Sequence, residues 1–109
     1  MHVTLFFVRG MIVLMYYIYI LYSAGSDRYY LGYSDNPMRR LTEHNTSVHL
    51  SYTFKHRPWE MKGYFEVGKS RKDAIRIERY LKKQKSRKII EKILREGSIS
   101  EIKTLALKI

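Results

Sequence analysis

The sequence contains no cysteine, and only two of its 109 residues are proline. The lack of cysteine excludes disulfide bonds and thiolate zinc sites, and it fits a protein of the reducing cytoplasm. The four histidines show none of the paired spacings that zinc ligands have, so no zinc site is expected. Acidic residues are also scarce, with 10 Asp or Glu against 21 Lys or Arg, which gives a formal net charge of +11.

The sequence also lacks an apolar run long enough to cross a membrane. Arg9 and Gly10 interrupt the apolar N-terminal segment, and its longest uninterrupted piece, residues 11–22, has twelve residues. A spanning helix needs about 20 apolar residues, and a signal peptide would carry its basic residues before the apolar stretch. A membrane role is therefore not expected. Attachment to a membrane surface is a further interpretation beside those given below, and a measurement of partition into lipid would test it.

The length predicts one domain, which we place at residues 15–97. Residues 1–14 are expected to be an N-terminal extension without catalytic consequence, because Met11 and Met15 are alternative starts to Met1. Residues 98–109 are expected to be a C-terminal tail that forms a short strand or an extended arm.

Apolar periodicity and turn residues predict the element order β-β-α-β-α-α. Strands are expected at residues 16–23, 28–33 and 59–67, and helices at 37–44, 70–83 and 86–97. Asn36, Ser70 and Ser86 are expected to cap the three helices, and Gly97 is expected to end the last one. Residues 45–56 are expected to form a loop. The fold class is therefore α/β, a small and mainly antiparallel sheet of three strands flanked by helices.

The positive charge is concentrated in residues 69–95, which hold twelve Lys or Arg against three acids. Such a block indicates a polyanionic partner or a solvated helix face. Together with the fifteen aromatic residues, the charge favours a nucleic acid as the partner.

Five residues have the chemistry and the spacing of a phosphate site. Arg40 and His44 are four residues apart on one predicted helix, so their side chains leave the same face. Glu78 lies at the edge of an apolar helix stripe, where an unpaired carboxylate is costly and a metal ion would compensate it. Tyr19 and Tyr30 lie on adjacent predicted strands. The alternatives are an exposed polar helix face for Arg40 and His44, an ion pair for Glu78, and a packing role for the tyrosines.

These residues resemble, in order and spacing, the motifs of the GIY-YIG nuclease superfamily. The resemblance covers roughly residues 16–86, with Tyr17-Ile18-Tyr19 as the first motif and Tyr30-Leu31-Gly32 as the second. The chain is most similar to the small single-domain members related to the UvrC nuclease domain. It departs from the family in Tyr17, which replaces the first-motif glycine, and in Ile90, which stands where several nucleases have an asparagine.

The resemblance implies a metal-dependent endonuclease that hydrolyses phosphodiester bonds in DNA, with repair or recombination as the expected setting. Glu78 would bind Mg²⁺ or Mn²⁺, Tyr19 would act as general base or position the attacking water, and Tyr30 would support the nucleophile. Arg40 would stabilise the transition state, and His44 would contact the phosphate or relay a proton.

The expected partner is DNA, with RNA left open, and neither a membrane nor a small organic cofactor is expected. Six basic residues are expected to contact the nucleic-acid backbone: Arg39, Lys82, Lys83, Lys85, Arg87 and Lys88. The alternative function is a nucleic-acid-binding module with the same fold and little or no catalysis, and metal-dependent cleavage distinguishes the two.

Overall fold

A computed structural model describes residues 5–8 and 11–108 of the chain. Its strands are β1 (Leu5–Val8), β2 (Met11–Leu14), β3 (Tyr16–Ser23), β4 (Arg28–Ser34) and β5 (Glu60–Gly68). Its helices are α1 (Pro37–Thr46), α2 (Ser51–Lys55), α3 (Arg71–Gln84), α4 (Arg87–Glu96) and α5 (Ser100–Leu107). Within the described residues, no helix is both long and apolar enough to cross a lipid bilayer.

The main sheet has three antiparallel strands in the order β4-β3-β5, which confirms the predicted fold class. The central strand β3 places Tyr19 directly opposite Gly32 on β4 and Tyr64 on β5. Strands β1 and β2 pair only with each other, in a separate two-stranded sheet. The prediction that residues 1–14 are an extension concerns a segment that lies partly outside the described residues.

Helices cover both faces of the main sheet because β3 is apolar on both sides. One face buries Ile18 and Ile20 against apolar residues of α3, α4 and α5. The other face buries Tyr19 and Leu21 against Trp59 and, from α1, Leu41. Strand β4 forms one edge of this sandwich, so that side chains from both helical layers can meet along it.

The helix boundaries follow the predicted capping residues. The side chain of Asn36 accepts a hydrogen bond from the Arg39 amide, and those of Ser70 and Ser86 accept equivalent bonds at the starts of α3 and α4. Gly97 ends α4 in the left-handed region at φ 67°. These three helices are therefore specified locally, as the sequence predicts.

Two segments differ from the predictions. The tail is neither a strand nor an extended arm: residues 100–107 form α5, because Ile99 and Ile102 are buried in the core shared with α3 and α4. The expected loop at 45–56 contains α2, whose Thr53 carbonyl accepts a 2.8 Å hydrogen bond from the indole N–H of Trp59. Both elements depend on contacts outside their own segment. Helix α5 packs into the core with α3 and α4, and α2 is held by Trp59, which follows it in the chain.

Candidate active site

Tyr19 occupies the centre of the site, and a glycine on the neighbouring strand makes room for its ring. Tyr19 is only 1% exposed, and its ring lies over the backbone of Gly32. A Cβ atom at Gly32 would lie 2.6 Å from Cζ and 2.8 Å from Cε2 of Tyr19, closer than real contacts allow. The glycine of Tyr30-Leu31-Gly32 is thus required by packing against Tyr19, and its backbone φ is not in the left-handed region.

The Tyr19 hydroxyl connects two side chains of α1. It lies 2.9 Å from Nε2 of His44, and the guanidinium of Arg40 is near enough to favour the charged form of the phenol. Arg40 can only donate, whereas the Tyr19 hydroxyl donates to Nε2 of His44 when the ring carries its proton on Nδ1. The four-residue spacing of Arg40 and His44 therefore brings both side chains to one oxygen atom.

Burial keeps Tyr19 and His44 neutral. It raises the pKa of the Tyr19 phenol, although the nearby guanidinium of Arg40 opposes this shift. Burial also lowers the pKa of His44 to about 4, and the positive charge of Arg40 acts in the same direction. At neutral pH the His44 ring is therefore uncharged, and Nε2 is free to accept a proton.

His44 lies behind Tyr19 and does not reach solvent. It is 1% exposed and, unlike Tyr19, does not line the cleft described below. Its Nδ1 atom is buried and has no hydrogen-bond partner among the described residues. An unpaired buried polar atom costs on the order of 1–3 kcal/mol, so the position of this ring is not optimised for stability alone.

The two neighbouring arginines of α1 have different surroundings. The Arg40 side chain is 28% exposed, lies 2.5 Å from Glu43 and lines the same cleft as Tyr19. The Arg39 side chain is 51% exposed and forms a 3.1 Å ion pair with Asp35. Arg40 thus faces the interior of the site, whereas Arg39 lies at its rim.

Glu78 reaches the site from α3, on the opposite face of the sheet. Its side chain is 19% exposed and lies 3.5 Å from the ammonium of Lys82. Within residues 5–8 and 11–108, no cluster of three or more acidic, histidine or cysteine side chains is arranged to hold a metal. A single half-buried carboxylate in a polar cleft fits a cation that keeps most of its water ligands, such as Mg²⁺.

A cleft of about 440 Å³ along the edge strand β4 joins these parts. Of the predicted site residues, Tyr19, Tyr30, Arg39, Arg40, Glu78 and Lys82 line it. The lining residues that were not predicted as site residues include three polar ones, Ser34, Asp35 and Arg71. Asp35 and Arg71 precede or begin a helix, and no sequence signal distinguished them from ordinary surface residues.

The remaining predicted basic residues lie outside the cleft. Lys83, Lys85 and Lys88 are exposed at the end of α3 and the start of α4. Arg87 is instead held by the β3–β4 turn, where its guanidinium lies 2.7 Å from Asp27. This ion pair therefore links the start of α4 to the β3–β4 turn.

Comparison with known proteins places this geometry in a family. The GIY-YIG catalytic domain matches residues 15–92, which include the whole cleft. The chain is 36% identical over 90 residues to a UPF0213 protein of Limosilactobacillus reuteri (strain DSM 20016). That alignment covers 81% of this chain and 91% of the relative. A comparison with solved structures gave no significant match. With its three-stranded sheet, its matched catalytic domain and this relative, the chain belongs to the GIY-YIG family and has its nuclease-type fold.

Proposed function

We propose that the protein is a metal-dependent endonuclease that hydrolyses phosphodiester bonds in DNA. The observation that carries this proposal is the Tyr19 hydroxyl, which is hydrogen-bonded to His44 and shares with Arg40 a cleft whose other wall presents Glu78. A proton acceptor, a phosphate-binding cation and a carboxylate thus share one solvent-open space, as hydrolysis of a phosphodiester requires.

Tyr19 and His44 would move the proton of the attacking water. As the water oxygen bonds to phosphorus and the bond from phosphorus to the leaving oxygen breaks, the Tyr19 oxygen would take the water proton and the Tyr19 proton would pass to Nε2 of His44. The phenol is neutral before and after this step, so its raised pKa is no obstacle. The positive charge moves to His44, which then releases the proton to solvent through Tyr19, and the leaving oxygen takes its proton from solvent in the open cleft.

Arg40 would bind the phosphate oxygens, because a guanidinium offers two charge-assisted hydrogen bonds and stays protonated. Its place beside Tyr19 in the cleft would keep it close to the attacking water. Tyr30, whose ring centroid is 4.6 Å from that of His44, would support this arrangement. Glu78 would hold Mg²⁺ or Mn²⁺, which when bound supplies charge stabilisation to the phosphate and the leaving oxygen.

The alternative is a nucleic-acid-binding module that has the same fold and cuts poorly. One observation favours it: Glu78 already forms an ion pair with Lys82, so its carboxylate is partly neutralised without a metal. The pair is weak, on the order of 1 kcal/mol or less, because the Lys82 side chain is half exposed and its ammonium lies as far as 3.5 Å from the carboxylate, so a divalent cation would compete with it. We therefore prefer the nuclease.

The decisive experiment compares Glu78→Gln with the wild type. Linear, nicked, branched and single-stranded DNA are incubated with each protein, with and without Mg²⁺ or Mn²⁺. Glutamine keeps the shape of the side chain but loses the charge that a cation needs, so we expect cleavage to fall by at least about 10²-fold. Unchanged circular dichroism and melting would show that the fold is intact.

Glu96→Gln is the matched control, because Glu96 is an exposed glutamate on α4 outside the cleft. It is expected to cut as the wild type does. If Glu78→Gln cuts equally well over a full titration of Mg²⁺, Glu78 is not the metal ligand. If the wild type cuts nothing with either metal, the binding-module alternative is favoured.

A further inference from the structure

A second groove, of about 320 Å³, lies beside the cleft along the same edge of the sheet. The cleft is at the Gly32–Asp35 end of β4, and the groove is at the Tyr29–Leu31 end, between α2 and the junction of α3 with α4. Tyr30 and Lys82 line both. Whatever occupies the groove is therefore a direct neighbour of the phosphate position in the cleft.

The walls of the groove are mainly aromatic and aliphatic. The rings of Tyr30 and Tyr52 are 6.4 Å apart at an interplanar angle of 35°, and Leu81 and Ile90 close the opposite side. Tyr52 is 48% exposed, although its ring is supported from behind by His56 at 4.9 Å. An exposed, supported ring that faces a second ring is a surface on which a planar group can stack.

Basic side chains surround this apolar interior. The Lys82 ammonium lies 5.3 Å from the centre of the Tyr30 ring, and the Arg87 guanidinium lies 5.1 Å from that of Tyr29. Lys85 ends α3 in a left-handed conformation, at φ 48°, and lines the same groove. A second copy of this +11 chain would be repelled by this charge and a neutral apolar peptide would not be attracted by it, whereas a nucleotide would be.

We propose that the groove binds one unpaired nucleobase of a DNA strand, with an adjacent phosphate of that strand in the cleft. The base stacks on Tyr52 and Tyr30, while Lys82 and Lys85 contact the backbone, as on other surfaces that bind single-stranded nucleic acid. This inference rests on the proposed nuclease function for its biological meaning. It assigns the enzyme to DNA that has an unpaired base beside the bond to be cut.

The test is a binding measurement made without divalent metal, so that no cleavage interferes. Three DNAs of one sequence are used: a single strand, a full duplex, and a duplex with one unpaired 2-aminopurine. Stacking quenches 2-aminopurine fluorescence, and anisotropy gives Kd. We expect the wild type to bind the single strand and the unpaired-base duplex more tightly than the full duplex, and to quench the probe.

Tyr52→Leu removes a stacking ring that lies outside the catalytic cleft. Stacking on an aromatic ring contributes about 1–3 kcal/mol per base, so Kd for both unpaired-base DNAs is expected to rise by at least about fivefold. Quenching is expected to fall, and Kd for the full duplex to stay constant. Tyr52→Phe keeps the ring and is expected to restore both values.

Tyr64→Leu is the matched control, because Tyr64 has a similar exposure of 44% but lies on β5, outside the groove. Equal Kd values for paired and unpaired DNA, or an equal effect of Tyr52→Leu and Tyr64→Leu, would overturn the proposal. The two proposals fail separately. If the protein binds unpaired bases but does not cleave DNA in Mg²⁺ or Mn²⁺, the base site in the groove stands and the nuclease function is refuted. If it cleaves DNA but does not prefer unpaired bases, only the base site is refuted.

Discussion

Replacing Gly32 by alanine tests the central packing contact of the site. The added Cβ would lie 2.6 Å and 2.8 Å from two ring carbons of Tyr19, and the ring is buried against the α1 layer. Overpacking of this kind costs about 1–3 kcal/mol, and displacement of the ring also breaks the bond to His44, a loss of about 1 kcal/mol. We therefore expect the free energy of unfolding to fall by about 2–4 kcal/mol.

The protein has a single tryptophan, Trp59, which is 4% exposed, so its fluorescence reports unfolding in urea. Gly25→Ala is the control, because a Cβ there would meet nothing within 4 Å. In a Tyr19→Leu background the clashing ring carbons are absent, and Gly32→Ala is expected to cost less than in the wild type. If Gly32→Ala were as harmless as Gly25→Ala, or if the Tyr19→Leu background did not reduce its cost, the reasoning would be refuted.

Three further predictions concern charge. Arg40→Lys is expected to lose about 10²–10³-fold in single-turnover cleavage, because lysine lacks the bidentate fork. Arg39→Lys, at the rim of the cleft, is expected to cut almost normally. Equal defects in the two variants would contradict the assigned roles. The pKa of His44 is about 4 in the folded protein against an ordinary 6.5 in the unfolded chain. Above pH 6.5 the ring is neutral in both states. As pH falls toward 4 the unfolded chain binds a proton that the folded protein does not, so the free energy of unfolding falls. The unfolding free energy of the wild type relative to His44→Asn is therefore expected to fall by up to about 3 kcal/mol between pH 7 and pH 4, and a constant difference would contradict a neutral buried ring. Replacing three exposed lysines by glutamine is expected to flatten the log–log salt dependence of DNA binding by up to about three units, and an unchanged slope would place the contact surface elsewhere. The three are Lys83, Lys85 and Lys88.

The parts of the fold that the sequence predicts are those specified by neighbouring residues. Asn36, Ser70 and Ser86 cap helices because each side chain meets a backbone amide three residues later. The same locality placed Arg40 and His44 on one face of α1. Spacing along one helix or one strand was enough for these features.

Features that depend on partners distant in the chain were not predicted from the sequence. Residues 100–107 show apolar positions that suit a helix only once α3 and α4 provide the core into which Ile102 packs. Arg87 belongs to a basic block that predicts nucleic-acid contact, yet Asp27, sixty residues earlier, holds its guanidinium. The groove at Tyr52 was also missed, because α2 was expected to be loop and its exposed ring had no assigned neighbour.

The edge of the sheet explains why the candidate site divides into two halves of different character. Tyr19 and His44 come from β3 and α1, and both are 1% exposed, so any change to them alters the core as well as the proposed proton path. Glu78 comes from α3 on the other face, and its side chain is partly exposed. Because β4 is an edge strand, the two halves meet beside it in the cleft. Glu78 can therefore stay partly exposed there, and neither core has to accommodate its charge. Substitutions in the buried half are thus expected to lower stability and cleavage together, whereas Glu78→Gln separates them, since it removes charge from a position that contributes little to the fold.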